Sequence, residues 1–244
     1  MQDVTTNEKQ QEGKDLVEAA RHADIQVQML PGDQYTSWLQ WFHKTLQPKN
    51  YLEIGINTGI SLQYATCDYV IGVDPQPRIE QELNPNTQIF ATESDHFFRT
   101  QDVQDLVNGK IQLAFVDGLH QFDQVLKDFI NIEKNSTKDT VVLFHDIYPV
   151  VPETATREWN TYYWAGDTWK FMHIINKYRP NIILKTIPTF PTGLGFATNL
   201  DPSCNILSDN YEAIVDEFMN TEYDLENPVN LVSNNYKDIE NCLN

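Results

Sequence analysis

Two acids and two histidines recur in this chain in a pattern that can do proton or metal chemistry. Asp117 and His120 stand three residues apart, and His145 and Asp146 are adjacent. Imidazole titrates near neutral pH, so a histidine beside a substrate hydroxyl can take its proton. Two carboxylates and an imidazole brought together can hold a divalent cation, and an oxygen-rich donor set favours Mg²⁺ or Mn²⁺. Such an ion binds a hydroxyl, lowers its pKa and orients it. On that reading Asp117, His145 and Asp146 are the metal ligands, while His120 and Asp117 are the catalytic residues. The plainer reading is that Asp117 and Asp146 end strands, His145 is a hydrogen-bonded wall residue and His120 opens a helix.

A second constellation points to a ligand. Glu53-Ile-Gly55-Ile-Asn-Thr-Gly59 is a glycine-bearing turn, and Asp74 lies about twenty residues further on, where an acid can accept both hydroxyls of a ribose. Glycine lets the backbone approach a ligand closely. The G-x-G-x-x-G spacing that cradles a pyrophosphate is absent. A carboxylate at Glu53 would repel phosphate and could orient an ammonium group. A ligand with a ribose and a cationic amino acid but no phosphate is S-adenosylmethionine. Taken alone, the two glycines would equally make a tight turn beside solvated acids.

These residues need elements to position them. A helical spacing of Trp38, Leu39, Phe42 and Leu46 follows Asp33, a candidate N-cap, until Pro48 stops it. Short apolar strands are predicted at 51–54, 69–73, 87–91, 111–116 and 140–144. Helices are predicted at 58–67, from a cap at Ser94 to 107, and at 122–133. Strands apolar on both faces and alternating with helices indicate a parallel sheet covered on both sides. After a helical stretch preceded by Asp167, two strands at 182–187 and 194–198 are joined by a loop too short for a crossover helix, which implies antiparallel pairing at one edge. Surface helices are expected beyond Asp201. The candidate ligands thus fall at strand ends, where open α/β sheets bind their ligands.

Tyr51-Leu-Glu-Ile-Gly-Ile-Asn-Thr-Gly-Ile-Ser61 resembles motif I of the class I methyltransferases, particularly the catechol O-methyltransferase-like branch. Phe115-Val-Asp-Gly-Leu-His120 and Leu143-Phe-His-Asp-Ile147 are similar to the D-G-x-H and strand-five motifs of macrolide-sugar O-methyltransferases and cephalosporin-hydroxylase-like proteins. The resemblance spans about residues 48–198. It implies a Rossmann-like α/β fold with a seven-stranded, mostly parallel sheet, one antiparallel strand and helices on both faces. It implies S-adenosylmethionine contacts from Glu53, Gly55, Asn57, Gly59, Ser61, Asp74, Glu93, Ser94 and Asp117, with Glu93 and Ser94 at the adenine. It makes His120 the general base and Asp117, His145 and Asp146 the ligands of Mg²⁺ or Mn²⁺. The chain departs from those relatives at His145, where an acid is more usual and imidazole favours softer metals.

The expected activity is therefore O-methylation of a hydroxyl on a small molecule or glycan. Its rivals are a catalytically idle S-adenosylmethionine-binding module and a different α/β enzyme using a metal or NAD. With 35 acidic against 17 basic residues and a net charge of −18, the 244-residue chain lacks the cations that nucleic acid or an anionic membrane would demand. No run approaches a membrane span, and residues 1–14 lack the pattern of a signal peptide, so a cytoplasmic protein is expected. Cys67, Cys204 and Cys242 form no metal-type pair. One domain is expected, with 1–13 disordered, 14–47 helical, 48–200 the binding core and 201–244 a C-terminal extension. The aromatic-rich segment 148–170 is long for a connection; it suits an acceptor-binding lid, and it would equally serve packing or a homo-oligomer contact.

Overall fold

The computed structural model describes residues 30–159, 163–224 and 226–243. Seven strands form one sheet in the order β3-β2-β1-β4-β5-β7-β6. In chain order they are β1 (Asn50–Ile54), β2 (Tyr69–Asp74), β3 (Thr87–Ala91), β4 (Ile111–Val116), β5 (Ser136–His145), β6 (Ile183–Ile187) and β7 (Leu194–Thr198). Strands β1 to β5 pair in parallel, and β7 runs antiparallel to both β5 and β6. The sheet expected from the sequence is the sheet found.

Strand β1 is buried along its whole length, its polar Asn50 and Glu53 included. The chain builds outward from it on one side through β2 and β3, then returns to the other side with β4. The reversal between β1 and β4 is the point at which an open α/β sheet leaves a crevice beyond its strand ends. Parallel register fixes which residues meet there. Ile54 is level with Val116, and Val116 with Phe144, so Gly55, Asp117 and His145 emerge side by side.

Helices cover both faces. On one face lie α2 (Ser94–Thr100), α3 (Val103–Leu106), α4 (Phe122–Lys134), α5 (Lys170–Tyr178), α6 (Ile206–Asp209) and α7 (Tyr211–Phe218). Helix α4 buries Phe122, Val125, Leu126, Phe129 and Ile132 at helical spacing. The other face is covered by α1 (Tyr35–Leu46), which buries Trp38, Leu39 and Phe42, and by α8 (Tyr236–Glu240), which buries Ile239. Among the described residues no helix is long and apolar enough to cross a membrane.

Local corrections follow from side-chain chemistry. The helix expected at 58–67 is only a single 3₁₀ turn, Leu62–Tyr64. Asn57 and Gly59 hold positive φ there, and Ser61 turns inward to donate to Glu53, so no regular helix can start. The helix expected from Ser94 to 107 is two helices, because the Asp102 carboxylate caps a new start by accepting from the backbone of Gln104 and Asp105. Asp33 does not cap α1; Gln34 holds that position, and the Asp33 carboxylate accepts from Tyr236 Oη at 2.6 Å. The segment beyond Asp201 is more than surface, since Leu207, Ile214, Phe218 and Ile239 enter the two cores. Expectations for residues 1–29, disorder and helices alike, lie outside the described residues.

One buried ion pair locks the α4 and α5 ends together. Arg179 donates bidentately to Glu133 at 2.6 and 2.8 Å, with both side chains almost fully buried. Removing one partner of such a pair leaves an uncompensated charge, at a cost of about 3–5 kcal/mol. Arg179→Met should therefore lower Tm clearly in thermal denaturation, and adding Glu133→Leu should recover part of the loss. An unchanged Tm in the single variant would contradict this role.

Candidate active site

A cleft of about 1090 Å³ opens beyond the carboxyl ends of β1, β2, β4 and β5. Gly55, Asn57 and Asp74 line one end, residues 92–95 with Gln124 and Asp128 another, and Asp117, His120, His145 and Asp146 a third. Gly55 is needed for the approach of two strand ends. Its φ is +87°, and a Cβ there would stand 1.9 Å from the Asp117 carbonyl oxygen. Asp117 in turn donates its backbone N–H to Ile54 at 2.8 Å. Asn57, at φ 39°, donates its N–H to Asp74 Oδ2 at 2.8 Å, and Gln76 N–H reaches Asp74 Oδ1 at 2.7 Å. The Asp74 carboxylate is thereby aimed from both sides while staying partly exposed.

The four residues of the acid–imidazole set converge. His120 Nε2 lies 3.1 Å from Asp146 Oδ2 and 3.6 Å from Asp117 Oδ1. His145 Nδ1 lies 3.2 Å from Asp146 Oδ2 and 3.3 Å from Asp117 Oδ1. Asp117, His120 and Asp146 can each offer one donor atom to a common ion. The sequence expectation grouped His145 with the two acids and left His120 apart; the fold brings all four together. Asp146 Oδ1 accepts from the Thr192 hydroxyl, whereas the buried Oδ2 faces the two imidazole nitrogens alone. A cation suits that oxygen and the nitrogen-and-oxygen donor set around it.

Charge dominates here. Burial works against ionisation of Asp117, yet the His145 imidazolium and hydrogen bonds with both histidines hold its carboxyl well below the usual range. Burial also works against a charged His120, but Asp146 and Asp117 override it and raise its pKa to about 9. His145 is raised well above its ordinary value by the same two acids, again against burial. Both His120 and Asp146 take positive φ, 57° and 61°. Such strain in non-glycine residues persists where surrounding contacts over-determine it.

Those contacts come largely from the segment after β5. His120 Nδ1 pairs with the Trp164 carbonyl at 3.1 Å, and the two rings stack at 5.1 Å. The His120 carbonyl accepts Asp167 N–H at 3.2 Å, and a Cβ on Gly166 would collide with that carbonyl. Arg157 fastens the segment to α4 through Asp123, Gln121 and the buried Asp167. Tyr163 and Trp164 line the cleft, Trp169 is buried in packing, and Tyr162 lies outside the described residues. Asp167 precedes α5 without capping it; its carboxylate accepts from Phe122 N–H at 3.0 Å.

Glu53 is placed differently from the cleft residues. It is fully buried on the α1 face, where its carboxylate accepts from Tyr51 Oη at 2.7 Å and from Ser61 Oγ. Glu53, Gly59 and Ser61 do not line the cleft; they brace the turn from behind. Glu93 and Ser94 do line it. Sequence reasoning missed Thr192, the Trp164 carbonyl, and Tyr35, whose ring packs 4.3 Å from His145. No local signal marks these long-range partners. It also missed Gln124 and Asp128, whose signal was present: Asp128 is a polar residue beside the buried stripe of α4, and Gln124 precedes it by one turn.

Comparison with known proteins agrees with this fold. Residues 52–147 match the family model described as a methyltransferase domain. Among solved structures, the Streptomyces achromogenes O-methyltransferase TomG, involved in tomaymycin synthesis and bound to SAM, matches with TM-score 0.54 and 14% identity over 68% of this chain and 80% of its own. SAH-bound Podospora anserina methyltransferase PaMTH1 gives TM-score 0.51 and 16% identity over 68% and 78%. An O-methyltransferase from Bacillus cereus in complex with SAH gives 0.50 and 17% over 77% and 89%. No curated protein sequence matches the chain significantly. The fold is that of the class I methyltransferases.

Burial raises the Glu53 pKa from 4.5 to about 8, against the lowering effect of its bonds from Ser61 and Tyr51. A carboxyl raised in the folded state favours the unfolded chain wherever only the latter ionises. Stability present below pH 4.5 should thus be lost progressively up to about pH 8. Denaturation across that window should show a shallower decline for Glu53→Gln than for the native chain; identical slopes would mean that Glu53 is ionised in place.

Proposed function

We propose that this chain, built on the class I methyltransferase fold, is an S-adenosylmethionine-dependent O-methyltransferase acting on a hydroxyl of a small molecule or sugar. The observation that carries this reading is the continuity of one cleft from the aimed carboxylate of Asp74 to the Asp117–His120–His145–Asp146 cluster. A nucleoside held at one end then presents its far end to proton-handling groups at the other.

S-adenosylmethionine, when bound, supplies an electrophilic methyl on a sulfonium. Asp74 accepts the ribose hydroxyls, and the turn at Gly55 and Asn57, braced by Glu53, Gly59 and Ser61, borders the methionine end. Residues 92–95, including Glu93 and Ser94, flank the adenine. His120 serves as base in its neutral form, which grows as pH approaches its raised pKa of about 9: with Nδ1–H donated to the Trp164 carbonyl, that ring keeps a lone pair on Nε2 facing the cluster. The acceptor's proton passes to that atom, and Asp117 and Asp146 stabilise the imidazolium. A Mg²⁺ or Mn²⁺ ion would be held by Asp117 and Asp146, the two acids of the set that can converge on one ion, with His145 beside them; it would offset the two carboxylates and acidify the hydroxyl. Tyr163, Trp164 and Phe190 supply aromatic faces beside His120, which suit a ring-bearing acceptor. The surrounding carboxylates disfavour an anionic one.

A thermal-shift series with S-adenosylmethionine, S-adenosylhomocysteine and NAD tests the ligand, because whatever binds the native state raises its stability. Stabilisation by NAD alone would overturn the reading. Asp74→Ala should weaken S-adenosylmethionine binding by about tenfold or more in calorimetry, since charge-assisted bonds contribute about 1.5–3 kcal/mol. For the base, His120→Ala should lower kcat by about 10²–10⁴-fold while S-adenosylmethionine affinity holds. Unchanged turnover would remove His120 from the proton path.

A further inference from the structure

Beside residues 92–95, the cleft holds a polar arrangement contributed by α4. Gln124 and Asp128 stand one turn apart on α4 and meet Ser94 and Asp95 at the start of α2. Gln124 Nε2 lies 3.1 Å from Ser94 Oγ, 3.0 Å from Asp95 Oδ1 and 3.2 Å from Asp128 Oδ1. Ionised carboxylate oxygens only accept; with Asp95 paired to Lys127, and Asp128 ionised above the pKa of about 7 to which burial raises it, the amide nitrogen, not its oxygen, must face them. This removes the usual ambiguity of a glutamine amide. Asp128 is 1% exposed, so the amide rests against a carboxyl that cannot swing away.

The consequence lies at the other amide atom. Gln124 lines the cleft, and among the described residues no donor serves its Oε1. That oxygen can only accept. Turning the amide to present its nitrogen instead would set Oε1 against two carboxyl groups. The site therefore offers a fixed acceptor and asks for a ligand donor.

We infer that Gln124 is a specificity residue for the nucleobase, its Oε1 accepting from the exocyclic amine of a 6-aminopurine, with Asp128 as the positioning residue that locks the amide. The inference rests on the proposed reading that the cleft takes an adenosyl ligand with its ribose on Asp74. Adenine offers a donor at that edge. A 6-oxopurine offers an acceptor, which meets Oε1 lone pair to lone pair and leaves it unpaired.

The test compares S-adenosylhomocysteine with S-inosylhomocysteine, its 6-oxo counterpart, by calorimetry on the full chain. The native protein should bind the inosyl ligand weaker by about tenfold or more, the cost of an unpaired buried acceptor. Gln124→Leu should make the two affinities about equal. Asp128→Asn, whose side-chain nitrogen can donate to Oε1 and release the amide to turn, should narrow the preference, which a merely structural role for Asp128 would not do. Equal affinities in the native chain would overturn the inference and leave the S-adenosylmethionine reading intact. Binding of neither ligand would overturn both. Discrimination that survives intact in Gln124→Leu would place the selectivity elsewhere.

Discussion

Everything in the cleft depends on how closely β1 and β4 come together at the sheet's reversal point. Gly55 sits against the Asp117 carbonyl with no room for a Cβ, and that contact sets the level of Asp117 relative to the turn before it. Parallel register then places His145 beside Asp117, and the residue after it, Asp146, turns into the same space. A glycine just after the first strand thus decides where the acid that follows a remote strand can meet Asp117. The ligand turn and the proton-handling cluster share this single backbone contact, so neither can be adjusted independently of the other.

The cluster itself is a balance of charge held by strain. Two acids and two imidazoles occupy a nearly buried volume, where the acids raise both imidazoles and the imidazoles hold Asp117 low. Burial opposes all of these charges, so the pairing must be tight to persist. Positive φ at His120 and Asp146 supplies the needed angles. Elsewhere the fold avoids such conflict: His43, also buried, has its pKa lowered to about 4 by burial alone and sits against Cys67 as a neutral ring.

The strands and their chemistry-bearing ends were legible in the sequence because apolar runs of the right length end abruptly at Gly55, Asp74, Asp117 and His145. In β1 the period of two puts Glu53 on the side of Tyr51, away from Ile54, which already separates it from the cleft. The missing helix after Gly59 was hidden because its apolar spacing is compatible with a helix, while the inward bond from Ser61 to Glu53 is tertiary. Thr192 and the Trp164 carbonyl were not legible at all: a backbone oxygen has no residue type to read, and Thr192 meets Asp146 only through the antiparallel return of β7. Gln124 and Asp128 could have been found, since a spacing of four on a helix shares one face.

The segment that walls the cleft is also part of its chemistry. Through Trp164 and Asp167 it grips His120 by ring, side-chain nitrogen and carbonyl at once. In most enzyme scaffolds a recognition loop can be exchanged while the reacting groups stay on the rigid frame. Here a transplanted loop with a different backbone path would no longer set a carbonyl against His120 Nδ1. Diversification of acceptor choice in this architecture must therefore proceed by side-chain replacement on an unchanged backbone path.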